Sequence, residues 1–395
     1  MLNPPEDTVG ADAYFADGRR RTPLPVGQLY WPDWDRFEAT FRDLFAREYY
    51  TNHGPLVQAL ERALQEALGV RHVVCVNNAT IGLIMAAEAL GLRGKVIVPA
   101  FTFIATPQSL TWAGLEPVFC DVDPVTHQMD PTCVERLMTP EVSAILAVNL
   151  WGDCCDISAL SAVAERHGRP LFFDSAHAIG CCYEGAPIGR FGSMEVFSFH
   201  ATKVLSAGEG GCITTNHDML AARLRNIRSS YGAGPAVPVV KTANGRMSEA
   251  HAAIALLNLQ DFPRTLNRNH EIFAAYARGL AGIPGISLRQ PQRVSVSNHQ
   301  YIVCGVDAEF GISRDELVEA LHNKNIIARR YFYPGAHRST PYRDDLPQFC
   351  DALPVTDRLC TTLVQLPTGA LVSDEDVEMI CRFIRDAHAS IAATA

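Results

Sequence analysis

Short apolar runs alternate with amphipathic stretches along most of the chain. After a Pro-rich, polar start, the spacing predicts an amphipathic helix around Asp33 to Glu48. PLVQALERALQEALGV predicts a second, with Pro55 in its first turn. HVVCV, KVIVPA, PVFCDV, SAILAVNL and RPLFFD then read as strands, and ATIGLIMAAEALGL, TPQSLTWAG and DISALSAVAERHG as helices among them. Near-continuous apolar strands between helices belong to a sheet covered on both faces, so an α/β fold with a mostly parallel central sheet is expected. CCYEG, MEVFSF and GCITT follow as short strands, then a helix (HDMLAARLRNIRSS) and a Gly/Pro-containing loop (YGAGPAVPVVKTANG). Helical periodicity resumes at MSEAHAAIALLNLQ and runs to about Leu280. The remainder reads as a smaller C-terminal α+β unit: a strand at HQYIVCGV, a helix at SRDELVEALHNK, a strand at IIARRY, and a last helix with Ser373 as N-cap. The expected division is a large domain over 1–262, including the N-terminal helices, and a small domain over 263–395.

Composition narrows the partners. The chain has 395 residues, 48% hydrophobic and 19% charged, with a net charge of -9, which suits a soluble globular protein of one large and one smaller domain. No basic block marks it for nucleic acid or an anionic membrane surface. The start carries no secretory pattern and no apolar run reaches the length of a membrane span, so a cytoplasmic protein is expected. Twelve cysteines include the adjacent pairs Cys154-Cys155 and Cys181-Cys182 but no C-x-x-C. They read as reduced, mostly buried thiols, with no metal site.

In such sheets function collects beyond the carboxyl ends of the strands. That rule selects Asn77 to Thr80, Phe101 to Thr106, Asn149 to Gly152, Asp174 to His177, and Ser198 to Lys203. FSFHATKVLSAGEGG sets one lysine, Lys203, among small and polar residues before a Gly-Glu-Gly-Gly turn. Asp174 ends the strand RPLFFD, 29 residues earlier. Alone, Lys203 is a surface charge or an amine for carbonyl chemistry, and Asp174 a turn cap or its electrostatic partner. The chemistry that needs both is that of pyridoxal phosphate: the lysine forms a Schiff base, and the carboxylate keeps the pyridine nitrogen protonated. Asn78, Ala79 and Thr80 open a helix, where free N–H groups suit a phosphate, although an ordinary N-cap reads the same way. Ser198 can add a hydroxyl. Phe103 stacks on the ring or packs in the core, and His177 serves the site or the scaffold. GAGPAV fails G-x-G-x-x-G, and no P-loop motif exists.

With VNNATIGL, VIVPAFTFIAT, PVFCDVDPVT, FFDSAHAIG, FSFHATKVLSAGEGG, NGRMSEAHAAIAL and IIARRYFYPGAH in place, the chain resembles, over nearly its full length, the DegT/StrS family of fold-type I pyridoxal-phosphate sugar aminotransferases. The resemblance implies a homodimer with shared active sites. Asn244 would reach the neighbour's cofactor phosphate, with Arg246 beside it at the phosphate or the substrate's pyrophosphate. Tyr331, Tyr333 and His337 would border the sugar pocket. The NATIGL, FHATK and NGRMSE variants resemble the branch acting on C-4 of nucleotide-linked 4-keto-6-deoxyhexoses. Alanine stands at 79 where many relatives have glycine, and His177 where many have glutamine. Lys203 is lysine, where dehydrating members carry histidine. The expected activity is transfer of an amino group from L-glutamate to the keto-sugar, with Lys203 as acid and base. That role needs a neutral amine, favoured by burial and nearby cations. A keto-cyclitol or other ketone substrate, other pyridoxal-phosphate chemistry, and a non-catalytic regulatory protein remain alternatives.

Overall fold

The computed structural model describes residues 14, 18–229, 237–239 and 241–392. Most of the loop YGAGPAV lies outside the described residues.

Seven strands form the central sheet in the order His72–Val76, Gly211–Thr215, Glu195–Ser198, Leu171–Asp174, Val142–Val148, Lys95–Pro99, Glu116–Cys120. Gly211–Thr215 runs antiparallel to both its neighbours, and the remaining pairings are parallel. Period-two alternation divides each strand between two cores. Val73, Cys75, Ile97, Ile145 and Ala147 join one, while Val74, Val76, Val96, Val98 and Leu146 join the other. Both faces are covered, which is why these strands read as continuous apolar runs.

Helix boundaries follow local chemistry. Asp33 caps Trp34–Arg47 through Asp35 and Arg36 N–H. Pro55 opens Pro55–Leu68, and Gly69 closes it in the left-handed region at φ 62°. Ser373 Oγ accepts from Asp376 N at 3.1 Å, starting the helix Asp374–Ala392.

The smaller unit is an antiparallel sheet in the order Ile286–Leu288, Ile302–Val306, Leu363–Leu366, packed with the helices Arg314–Asn323 and Asp374–Ala392. Its limits differ from expectation. The helix Glu249–Leu280 runs unbroken through 262 and 263, with Pro263 inside it, so the expected boundary falls within a shared helix. The N-terminal strand Leu24–Pro25 pairs in parallel with Ile326–Ile327, and Leu24 is buried in the small unit's core. Both ends of the chain therefore build this unit. The expected strand IIARRY is paired only at Ile326–Ile327. Beyond it Arg329 makes an isolated bridge to Gln365 and the chain turns. All twelve cysteines are free, ten of them buried. No helix among the described residues is long and apolar enough to cross a membrane.

Candidate active site

A cavity of about 300 Å³ opens beyond the carboxyl ends of the central strands. Its walls include Asn78, Ala79, Thr80, Phe103, Asp174, His177, Ser198, Lys203 and Tyr331, so nine residues proposed from sequence meet in one place.

One wall is the start of the helix Ala79–Ala89. Asn78 caps it, its side chain accepting from Ile81 N at 2.8 Å. The N–H groups of Ala79 and Thr80 sit in the first turn, where no intrahelical acceptor exists. Gly211 lies against this turn: a Cβ there would stand 3.1 Å from Ala79 N and 2.5 Å from Phe197 O. Only glycine lets strand and helix approach so closely. Ser198 pairs with Gly211 across the sheet and accepts from His200 N at 3.3 Å, leaving its own hydroxyl proton to donate elsewhere. Backbone donors, a helix dipole and a hydroxyl on one wall suit an anion such as phosphate.

Asp174 forms the floor. Its Oδ2 accepts from Thr106 Oγ1 at 2.8 Å, and its Oδ1 from Ala176 N at 3.1 Å. Thr102 braces Thr106 at 3.0 Å between hydroxyls. Burial pushes the carboxyl up from the ordinary aspartate range, and these donors together with the nearby Lys203 charge oppose that.

His177 is sandwiched between Trp151 at 5.6 Å and Tyr301 at 4.7 Å between ring centroids. Burial, and then the Lys203 charge, hold it well below the ordinary histidine range, so it is a neutral imidazole. Its buried Nδ1 has no partner.

Lys203 follows the strand Glu195–Ser198 and is partly buried, its Nζ 5.8 Å from the Tyr301 ring centroid. Burial lowers its pKa to about 8. The expected help from nearby cations is corrected: the charges acting on Lys203 are Asp174 and Tyr331, and both raise its pKa.

Phe103 stands at the mouth, 54% exposed, and is not a core residue. Asn244 and Arg246 do not line the cavity. Asn244 is exposed, with its carbonyl accepting from Asn77 Nδ2 at 3.3 Å, and Arg246 bridges to Val76. Both thus sit beside the strand end that leads into Asn78. Tyr333 is exposed under the Arg314 guanidinium, outside the cavity. His337 is fully buried, its Nε2 at 3.0 Å from Asp357 Oδ1 and its ring against Phe119. Its expected place at the sugar pocket is therefore corrected: it is absent from the cavity wall, and burial against Phe119 with Asp357 as partner holds it.

Sequence reasoning did not select Tyr301, Arg329 or Glu209, which also line the cavity. Tyr301 and Arg329 come from the small unit; Arg329 stands in IIARRYFYPGAH, two residues before Tyr331, but nothing in its spacing marks it as a site residue. Glu209 stood within the Gly-Glu-Gly-Gly turn, where its pocket position was available to be suspected.

A lysine and an acid facing a helix N-terminus across one cavity suit carbonyl chemistry on a phosphate-bearing group. The chain belongs to the DegT/DnrJ/EryC1/StrS aminotransferase family, whose model matches residues 34–385. It is 35% identical to a dTDP-4-amino-4,6-dideoxy-D-glucose transaminase of Shigella dysenteriae, over 92% of this chain and 99% of that one. To the transaminase of the same name from Escherichia coli it is 30% identical, over 91% and 98%. The crystal structure of DesI in the presence of its TDP-sugar product superposes with a TM-score of 0.88 at 40% identity, covering 94% of this chain and 95% of that one.

Proposed function

We propose that this protein is a pyridoxal-phosphate-dependent aminotransferase that moves the amino group of L-glutamate to the C-4 keto group of a dTDP-linked 4-keto-6-deoxyhexose. It works as a cytoplasmic homodimer. The observation that carries this reading is the convergence of Lys203, Asp174 and the open helix start at Asn78–Thr80 on one cavity. The curated relatives' names support the substrate class.

The residues present fit the cofactor. Ala79 and Thr80 N–H with the Ser198 hydroxyl would hold its phosphate, and Asp174 its ring nitrogen. The orphaned Nδ1 of His177 is free to meet a polar group of the ring or the substrate. When bound, pyridoxal phosphate supplies a carbonyl carbon that carries the amino group and a ring that accepts electron density. Lys203 Nζ would take the proton from the donor's Cα and deliver it to the cofactor's former carbonyl carbon within the same half-reaction, and would carry it the other way when the keto-sugar is aminated. A pKa near 8 leaves a usable neutral fraction at neutral pH, and the proton it gains is not held too tightly to be given back. Asp174 keeps a proton on the ring nitrogen, with Thr106 and Ala176 fixing its plane. The positive charge it would face there offsets the burial that raises its own pKa. Phe103 covers the mouth and restricts water. Tyr331, on the cavity wall, would face the nucleotide sugar, with Arg246 and Tyr333 as candidate contacts beyond that wall.

Incubation with L-glutamate and dTDP-4-keto-6-deoxyglucose should yield 2-oxoglutarate and a dTDP-aminosugar, followed by mass spectrometry and NMR. Amination of a keto-cyclitol instead would replace the substrate class, and no 2-oxoglutarate with any ketone would remove the activity. Borohydride reduction should fix the cofactor to Lys203; label on another lysine overturns that assignment. For the dimer, mixing Lys203→Ala with Asn244→Asp subunits should restore activity at about half the sites of each heterodimer, since one site carries both lesions and one neither. No recovery places Asn244 in its own subunit's site.

A further inference from the structure

We infer that the buried ion pair Glu61–Arg228 is a positioning pair for the phosphate cradle, an assignment that rests on the cofactor reading. Neither residue lines the cavity. His72–Val76 ends the central sheet and pairs on one side with Gly211–Thr215. On its open side, where no further strand lies among the described residues, Cys75 presents an N–H and a carbonyl. Two side chains take the place of a strand. Glu61 Oε1 accepts from Cys75 N at 2.9 Å, and Arg228 Nη1 donates to Cys75 O at 3.0 Å. The two side chains meet each other at 2.7 Å. Both are buried, Arg228 at 2% exposure and Glu61 at 6%. A buried ion pair is weak support for stability, since apolar residues of the same volume hold a core as well. What an apolar pair cannot do is satisfy a backbone donor and a backbone acceptor on one residue.

The clamp sits where the strand hands over to the cradle. Val76 and Asn77 link Cys75 to Asn78, whose side chain caps the helix Ala79–Ala89. Arg228 holds the neighbouring segment as well. Its backbone carbonyl accepts from Gly245 N at 3.2 Å, and Gly245 O accepts from Asn77 N at 2.9 Å. Gly245 lies against the helix start: a Cβ there would stand 3.1 Å from Ile81 Cγ2 and 2.9 Å from Met85 Sδ. Arg228 therefore fixes the strand end through its side chain and the segment Asn244–Arg246 through its backbone. Both lead to the turn that offers the N–H groups of Ala79 and Thr80. Hydrogen bonds weaken steeply as their angle departs from linear. A tilt of that turn is thus read as lost phosphate affinity, while the contacts to the cofactor ring, made by other strands, stay in place.

The test measures pyridoxal 5'-phosphate and pyridoxal, which lacks the phosphate, separately against the full-length apoprotein by equilibrium dialysis. Arg228→Met should weaken the phosphate ester by roughly 10–100-fold and leave pyridoxal within about threefold. Arg228→Lys, which keeps a charged donor, should fall between Arg228→Met and wild type. If Arg228→Met does not fold, Glu61→Gln combined with Arg228→Met removes both charges and keeps an acceptor for Cys75 N. That double variant should show the same selective loss. Equal weakening of both ligands would make the pair scaffold alone and overturn the proposal. A wild-type preference for the ester that every variant retains also overturns it, and leaves the cofactor reading intact. Wild-type protein with no preference for the ester sinks the cradle and the cofactor reading, and the pair's role with them.

Discussion

Two helix N-termini in the large domain are built alike and finished differently. The helix Pro55–Leu68 meets Glu249, a carboxylate with no solvent exposure, whose oxygens accept from Leu56 N at 2.8 Å and Val57 N at 2.9 Å. Among the described residues no side-chain carboxylate bonds to the first turn of the helix Ala79–Ala89, which opens on the cavity. A glycine permits close approach in each. A Cβ on Gly54 would stand 2.6 Å from the Glu249 carboxyl carbon, and one on Gly211 3.1 Å from Ala79 N. The same dipole and the same orphan donors serve both. Where the chain supplies its own anion the helix end is structural. Where it leaves the donors facing a cavity, it is a binding site.

The largest effect that follows is on rate at the open end. Lys203→Met should lower kcat/KM by roughly 10⁴-fold or more, because the group that moves the proton is gone. Turnover within tenfold of wild type in steady-state assays would remove Lys203 from the chemistry.

The closed end should respond in stability instead. Glu249→Ala should cost about 2–4 kcal/mol in urea denaturation, since the buried Val57 N–H and the part-buried Leu56 N–H lose their acceptor and a cavity forms. A loss below about 0.5 kcal/mol, the range of ordinary surface substitutions, would mean that the carboxylate is incidental and the comparison breaks.

Converting one end into the other is a sharper probe. Ser198→Asp sets an internal carboxylate beside the Asn78–Thr80 turn, as Glu249 does for the other helix. Cofactor retention after dialysis should fall by roughly 30–100-fold in affinity while the protein stays folded. Undiminished retention would show that phosphate is held elsewhere.

The smallest effect concerns the cofactor-free protein. Lys203 has a folded pKa of about 8 against an ordinary 10.5. Below pH 8 folding carries a constant penalty for burying this amine, and the penalty fades as pH rises from 8 to 10.5. Lys203→Met apoprotein should therefore be more stable than wild type at pH 7, by roughly 1–3 kcal/mol. The difference should close by about pH 10.5. A gain that is flat with pH in parallel denaturation curves would assign it to packing.

Legibility followed the range of the interactions. The strand Leu171–Asp174, the turn carrying Lys203 and the capped start at Asn78 were readable because period, cap and turn chemistry act within a few residues. Tyr301 and Arg329 escaped because neither follows a local rule, and packing of the small unit against the sheet brings them to Lys203. The site's lower half was therefore visible, and its upper wall was not. His337 shows the converse error: it lies six residues beyond Tyr331, yet burial and the Asp357 partner keep it off the cavity wall.

The sequence by itself determined the α/β class, the parallel strands and the pairing of Lys203 with Asp174 at one sheet edge. Apolar period and the carboxyl-end rule require nothing from distant segments. Tertiary structure decided that the first strand belongs to the small unit and that one helix spans both. It also decided which helix N-terminus is sealed. Glu249 and Leu56 are 193 residues apart, and only the packed fold brings that carboxylate to one turn and leaves the other open.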